Sequence, residues 1–358
     1  MPGKIIIDCE RMKYPHTGLY HYCHQLSMAL IKQQQNEEDT PVFYVPPPEQ
    51  GFLGNSVKYE IQKWWHKLYN PYAAKYDLWH GTYQGSNYYP KSIKIKKMLT
   101  IHDLNFLYDD KKSAAKQKKY LQNIQDQINR SDQLTVISAF TLQCIQDNLT
   151  VGSVPVEIIY NGCNMPAKND LFQQPGFIKN NTTYLFSIGT IARKKNFHTL
   201  PALLIGNDYR LVIAGITQDK DYLEKIIAEA KKHKVEDRLI FPGSITESEK
   251  WWLMQNMLAF VFPSLAEGFG LPVVEAMNFG KPILLSTHTC LPEIGADAAY
   301  YFKSFDIEDM QITLQHSLQH FNTNPGQVDI IKKRAAFFNW DDAARQYGRV
   351  YKNLLKYK

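Results

Sequence analysis

No uninterrupted apolar run in this 358-residue chain approaches the ~20 residues that a membrane-spanning helix requires. No signal peptide is read at Met1 either. The chain runs straight into the strand-like Lys4 to Cys9, so a cytoplasmic protein is expected. Cysteine is sparse. Its five copies, Cys9, Cys23, Cys144, Cys163 and Cys290, are odd in number, scattered and never in a CxxC spacing, which excludes a disulfide framework and a thiolate zinc site. Low-complexity tracts and short repeats are missing too. What remains is 44% hydrophobic and 21% charged, ordinary for a soluble globular protein and long enough for two domains with a core each.

Acidic excess is also missing. The net charge is +6, with the surplus in the N-terminal half at Lys91, Lys94, Lys96 and Lys97 and again at Lys111, Lys112, Lys116, Lys118 and Lys119. No nucleic-acid motif accompanies these lysines, so nucleic acid is not an expected partner. Lys58 to Tyr69 mixes Trp64, Trp65 and Tyr69 with Lys58, Lys63 and Lys67. It reads either as an interfacial helix on the inner face of the cytoplasmic membrane or as a solvated face over buried tryptophans.

Strand-like runs alternate with helical patterns from end to end. The first half has Lys4 to Cys9, Pro41 to Val45, Tyr76 to His80, Lys97 to His102, Gln133 to Ser138 and Val156 to Tyr160. The second has Tyr184 to Gly189, Arg210 to Ala214, Arg238 to Phe241, Leu258 to Phe262, Pro282 to Ser286 and Ala299 to Phe302. Several are continuous apolar runs, as parallel strands covered on both faces require. Two doubly wound α/β domains follow, broken where Pro166, Pro175 and Gly176 interrupt the alternation between Met165 and Asn181. Trp340, Ala343, Ala344, Tyr347, Val350, Tyr351 and Leu354 mark an amphipathic closing helix, and spacing alone leaves open whether it lids the second domain or bridges to the first.

The chemistry is densest in Phe262-Pro-Ser-Leu-Ala-Glu-Gly-Phe-Gly-Leu-Pro-Val-Val-Glu-Ala-Met277. A strand, a Gly-rich loop and a helix starting at about Val273 would aim backbone N–H groups at an anion beyond the strand. Glu267 and Glu275 would repel that anion unless they met hydroxyls, which a sugar nucleotide carries on both sides of its pyrophosphate. Ser187-Ile-Gly-Thr-Ile-Ala-Arg-Lys-Lys-Asn196 adds a turn at Gly189 and three cations, Arg193, Lys194 and Lys195, of which Lys195 is favoured for a pyrophosphate. After Phe241-Pro-Gly243 the backbone of Ser244 and Ile245 is free to meet a nucleobase edge, while Thr246 and Glu249 form a capping box. Thr100-Ile-His-Asp-Leu104 leaves His102 at a strand's carboxyl edge, able to donate to a sugar hydroxyl or to be purely structural. Gly18 would let the loop after the first strand approach a ligand, or simply make a turn. Asp219-Lys-Asp221 has a metal-ligand spacing but reads as a helix start.

In this order the motifs resemble the retaining glycosyltransferases of the GT-B fold, in the large family 4 group. SIGTIARKKN, LVIAG at Leu211 to Gly215, FPGSI, the PSLAEGFGLPVVEAM stretch and Leu291-Pro-Glu-Ile-Gly295 carry the likeness in the second domain, with Glu267 and Glu275 in the ExxxxxxxE spacing. TIHDL, VISAFT and IIYNG carry a looser one in the first. The resemblance implies two Rossmann-like domains facing across a cleft: residues 1–165 for the acceptor, 166–339 for the nucleotide sugar, and a helix at 340–358 crossing back to the first. It implies that Glu267 contacts the transferring sugar, Glu275 the ribose, and Lys195 the pyrophosphate. The backbone of Phe269, Gly270 and Leu271 would hold sugar and phosphate, and His102 would reach the donor sugar. Thr190 stands where many members have Arg, leaving Arg193 or Lys194 to supply that charge. The implied reaction moves a hexose, mannose before glucose, from GDP-mannose or a UDP-sugar to a glycan or lipid-linked acceptor of a bacterial surface polysaccharide, without a metal. An epimerase, a hydrolase or a silent sugar nucleotide scaffold are the alternatives.

Overall fold

The computed structural model describes residues 3–15, 17–33, 41–55, 57–91, 94–109, 111–164, 166 and 171–356. Met165 and residues 167–170, the start of the expected interdomain break, lie outside them. The chain divides into two units, Met1–Gly162 with Phe338–Lys358, and Cys163–Phe337. The division falls three residues before the expected boundary, and the closing segment counts with the first unit.

The first unit holds β1 (Ile5–Asp8), β2 (Val42–Val45), β3 (Tyr59–Ile61), β4 (Leu78–Gly81), β5 (Lys96–Ile101), β6 (Gln133–Val136) and β7 (Val156–Ile158), with helices α1 (Gly18–Gln33), α2 (Ala114–Ile128) and α3 (Ala139–Asn148). The second holds β8 (Tyr184–Ile188), β9 (Arg210–Ala214), β10 (Leu239–Gly243), β11 (Ala259–Phe262), β12 (Ile283–Ser286) and β13 (Tyr300–Phe302). Its helices are α4 (Lys220–Lys232), α5 (Glu247–Asn256), α6 (Leu271–Met277), α7 (Leu291–Gly295), α8 (Ile307–Thr323) and α9 (Gln327–Phe337), and α10 (Trp340–Lys356) closes the chain. All strand pairs are parallel, in the orders β3-β2-β1-β4-β5-β6-β7 and β10-β9-β8-β11-β12-β13. Continuous burial along β4, β6, β11 and β12 explains the unbroken apolar runs, since helices cover both faces.

Helix α10 belongs to the first core. Trp340, Ala343, Ala344, Tyr347, Val350 and Tyr351 pack with Ile7, Tyr22, Leu26 and Leu30. The tyrosine hydroxyls are satisfied as well: Tyr347 meets Tyr22 at 2.7 Å and Tyr351 meets His80 Nδ1 at 2.7 Å. Gly162 lies so close to the Trp340 backbone and ring that no Cβ fits there.

Lys58 to Tyr69 is not a helix. Tyr59–Ile61 pairs with β2 as a half-buried edge strand, and Trp64–Lys67 is one 3-10 turn. His66 anchors the turn, its Nδ1 2.8 Å from Tyr44 Oη, while Trp64, Leu68 and Tyr69 stand in solvent. No helix among the described residues is long and apolar enough to cross a membrane.

Candidate active site of the second unit

Strand order reverses between β8 and β11, and at such a switch point the two outgoing connections leave a crevice at the carboxyl edge. Glycine opens the three neighbouring strand ends. Gly189 after β8, Gly215 after β9 and Gly243 ending β10 have φ of +152°, +138° and +76°. They are stitched by Gly189 N–H to Ala214 O at 2.9 Å and Gly215 N–H to Gly243 O at 2.8 Å. A Cβ on Gly215 would collide with the Gly189 carbonyl. The result is a floor of backbone without side chains, on which a flat or charged ligand can lie close.

Lys195 and Glu267 meet above this floor. The segment after β8 makes a 3-10 turn, Arg193–Lys195, and reverses at Asn196 with φ +56°. This brings Lys195 Nζ to 2.5 Å from Glu267 Oε1 and 4.8 Å from the Phe262 ring centre. Ser264 Oγ donates to the same Oε1 at 2.7 Å, and the Glu267 N–H donates to Thr289 Oγ1 at 3.2 Å. Both charged side chains are largely buried, at 11% and 13% exposure. A cation and a carboxylate so placed can neutralise a leaving phosphate and accept from a sugar hydroxyl. Neither needs to be drawn from a distance.

Glu275 is held separately. It lies within α6, and Asn164 Nδ2 donates to its Oε1 at 2.9 Å while Lys250 Nζ sits 3.2 Å from its Oε2. Lys250 also pairs with Glu247 at 2.8 Å. Burial lifts the Glu275 carboxyl above the ordinary range, with Lys250 and Asn164 pulling it back. Burial works against the charge of Lys250 too, but Glu275 and Glu247 together hold its pKa above normal. Each Glu275 oxygen keeps a second lone pair for a ligand hydroxyl.

Other expectations are changed in detail. Helix α6 begins at Leu271, capped by Gly270 at φ +88°, with Pro272 inside its first turn. Pro272 has no N–H, and those of Val273 and Val274 are taken by the Gly270 carbonyl. The first turn of α6 therefore does not present the full set of open N–H groups expected of a helix end. Phe269 is buried and Leu271 half-buried. Arg193 pairs with Asp219 at 3.3 Å, and Asp219 caps α4 by accepting from Tyr222 N–H, so the DxD spacing is a helix start. Lys194 is exposed, and its carbonyl accepts from Leu265 N–H and Ser264 Oγ, which ties the two loops together. Thr190 and Ile245 are half-buried and Ser244 is exposed. Thr246 and Glu249 form the expected capping box.

In the first unit, His102 follows β5 and is buried. Its Nε2 stands 2.7 Å from the Thr82 carbonyl, so Nε2–H donates there and Nδ1 is the acceptor. Burial lowers its pKa to about 4. The ring is neutral, and its free lone pair suits accepting from a hydroxyl rather than donating to one. Gly18 begins α1 with open space around it and no positive φ. Sequence reasoning missed Ser264, Thr289, Lys250 and Asn164. Only Ser264 left a signal, three residues before Glu267 in the same loop.

Residues 168–319 match the family described as Glycosyl transferases group 1. The O-antigen chain mannosyltransferase RfbU of Salmonella typhimurium is 24% identical over 68% of this chain and 68% of its own length. The O-antigen chain mannosyltransferase B of Escherichia coli is 22% identical over 98% and 100%. Among solved structures, Anabaena HepE in complex with UDP-glucose superposes with a TM-score of 0.72 at 15% identity, covering 98% of this chain and all of that one. Residues 168–319 of the second unit thus carry the likeness to the glycosyl transferases group 1 family, and the two sheets are those of the GT-B fold.

Proposed function

We propose that this glycosyltransferase moves a hexose, mannose before glucose, from a nucleoside diphosphate sugar to a hydroxyl of a glycan or lipid-linked acceptor, with retention at the anomeric carbon. The observation that carries the reading is the buried Lys195–Glu267 pair at the β8/β11 switch point, 2.5 Å apart on a glycine floor. The names of the two O-antigen relatives support mannose and a bacterial surface polysaccharide, and HepE's ligand supports a nucleotide sugar donor.

In this mechanism the bond from the anomeric carbon to the diphosphate breaks, and the acceptor oxygen bonds to that carbon on the same face. Lys195 offsets the charge that develops on the diphosphate, a contribution of roughly a few kcal/mol in a preorganised site. No step in this scheme calls for a metal, so transfer should persist in the presence of EDTA, and its loss there refutes this part of the mechanism. Glu267, steadied by Ser264, accepts from a sugar hydroxyl and offsets positive charge at the ring. The departing phosphate takes the acceptor's proton. Glu275 accepts from the ribose hydroxyls, Ser244 and Ile245 meet the base, and the neutral His102 accepts from a sugar hydroxyl. Exposed Trp64, Leu68 and Tyr69 beside Lys63 and Lys67 support contact with an anionic membrane face, where a lipid-linked acceptor is presented.

Thermal unfolding with GDP, UDP and their sugars is the test. A ligand at a hundred times its dissociation constant stabilises by ~2.7 kcal/mol. One diphosphate should raise the midpoint in wild type and in Glu267→Gln but not in Glu275→Ala, and Glu267→Gln should lose transfer by about 100-fold or more. Normal transfer by Glu267→Gln refutes the assignment. Sugar release without an acceptor, at the rate of transfer, would mark a hydrolase.

A further inference from the structure

Backbone strain singles out the connection from β12 to α7. Of the five non-glycine residues with positive φ among the described residues, Asn181, Asn196, Lys234, Thr289 and Ala296, Thr289 alone is β-branched, at φ +55°. Asparagine reaches this region at little cost, whereas a branched Cβ crowds its own backbone there. Leu291 N–H donates to the His288 carbonyl at 3.2 Å and closes a turn whose central residues are Thr289 and Cys290, the latter at φ −77° and ψ −6°. Positive φ at the first central position only is the type II′ pattern, which normally takes glycine. Glycine would fit without strain but brings no hydroxyl.

The hydroxyl has a use. Thr289 Oγ1 accepts from the Glu267 N–H at 3.2 Å, and the thiol of the next residue, Cys290, donates to the Glu267 carbonyl at 3.4 Å. Ser286, which ends β12, donates from Oγ to the Ser264 carbonyl at 2.5 Å. Three backbone groups of the loop from Ser264 to Glu267 are thereby tied to the carboxyl end of β12, and both sides of Glu267 are held by consecutive residues of the strained turn. Its Cα is fixed independently of the contacts that Lys195 and Ser264 make with the carboxylate. Strain of this kind persists only where the surroundings impose it, and here they belong to the site. We propose that Thr289 is a positioning residue for sugar transfer, its hydroxyl fixing the Glu267 backbone and so aiming the carboxylate at the transferring sugar. The role in transfer rests on the glycosyl-transfer reading; the clamp on Glu267 does not.

Three variants of the full chain separate the hydroxyl from the strain. Thr289→Val removes the hydroxyl and keeps the shape, Thr289→Ser keeps the hydroxyl and sheds the branch, and Thr289→Gly removes hydroxyl and strain together. In Thr289→Val and Thr289→Gly kcat should fall by about ten- to 100-fold, with donor KM and the midpoint rise given by GDP or UDP unchanged, while Thr289→Ser should retain most of the rate. Thr289→Gly should still unfold about 2 °C or more above Thr289→Val. A purely structural threonine predicts the opposite order, with rate following stability and Thr289→Gly the more active of the two. Hydrogen–deuterium exchange of the peptide from Leu265 to Gly270 is the second readout, about ten-fold faster in Thr289→Val and Thr289→Gly and as in wild type in Thr289→Ser. Unchanged kcat in Thr289→Val, or recovery of the rate by Thr289→Gly, overturns the positioning role, and wild-type exchange in Thr289→Val overturns the clamp. Transfer absent from wild type with every donor overturns the glycosyl-transfer reading and the positioning role with it, while faster exchange in Thr289→Val would leave the clamp standing. If Thr289→Val fails to fold, Thr289→Gly decides, since it is free of the strain.

Discussion

Gly215→Ala should damage fold and site together. The native φ of +138° is one that side chains rarely adopt, a cost of about 1–3 kcal/mol. The new Cβ also overlaps the Gly189 carbonyl, which must retreat by on the order of 1 Å to reach normal contact. That retreat strains the 2.9 Å bond from Gly189 N–H to Ala214 O, worth about 1 kcal/mol. The sum is about 3 kcal/mol or more, which for a domain of this size lowers the unfolding midpoint by about 10 °C. Function should suffer in addition, because Gly189 lies against Lys195: a Cβ there would come within 3.1 Å of Lys195 Cε. A displacement of about 1 Å under a catalytic cation can cost about 100-fold in rate. The assay is thermal unfolding followed by transfer measured well below the new midpoint. Gly18→Ala is the control, since open space and a helical start make it neutral or stabilising by up to about 1 kcal/mol. A Gly215→Ala protein that unfolds within about 2 °C of wild type refutes the reasoning.

Lys250→Met leaves Glu275 without its buried counter-charge and should cost about 3 kcal/mol in urea unfolding, whereas Lys250→Arg should recover most of it. It also lifts the Glu275 carboxyl further, so diphosphate binding, which needs the ionised form, should weaken more steeply as pH falls from 8 to 6 than in wild type. Asp8 gives the opposite slope of stability. Burial first and the Glu10 carboxylate second raise it to about 7, against ~3.9 in an unfolded chain, so the folded state holds this proton more tightly. Its contribution to stability is full below pH ~4 and lost as pH rises to about 7, and Asp8→Asn should gain on wild type across that window by at most about 4 kcal/mol. Trp64→Ser with Leu68→Ser should abolish sedimentation with phosphatidylglycerol vesicles while moving stability by no more than about 0.5 kcal/mol; unchanged sedimentation excludes this turn as the contact.

Twelve of the thirteen strands among the described residues were legible as largely apolar runs, most of them buried, with the edge strands β7, β10 and β13 wholly or mostly half-buried. The thirteenth, β3, was not: Tyr59, Glu60 and Ile61 are half-buried at a sheet edge, and only the neighbouring β2 makes them a strand. The lysines and tryptophans that follow have nearly helical spacing, yet His66 turns inward to Tyr44 and breaks the register. At the site, Lys195 and Glu267 could each be singled out from a motif, but their pairing depends on β8 and β11 being neighbours. Lys250 offered no signal, because its two carboxylate partners only converge when α5 and α6 are packed. Helix α10 shows the limit most clearly. Its periodicity defined a buried face and left the surface beneath it open, since tyrosine counts as apolar in any such pattern. What decides the matter is polar: a buried tyrosine hydroxyl needs a partner, and Tyr22 and His80 of the first unit supply the two that Tyr347 and Tyr351 require. An apolar stripe would tolerate several docking surfaces, whereas a stripe with two hydroxyls in it accepts only one that returns both bonds.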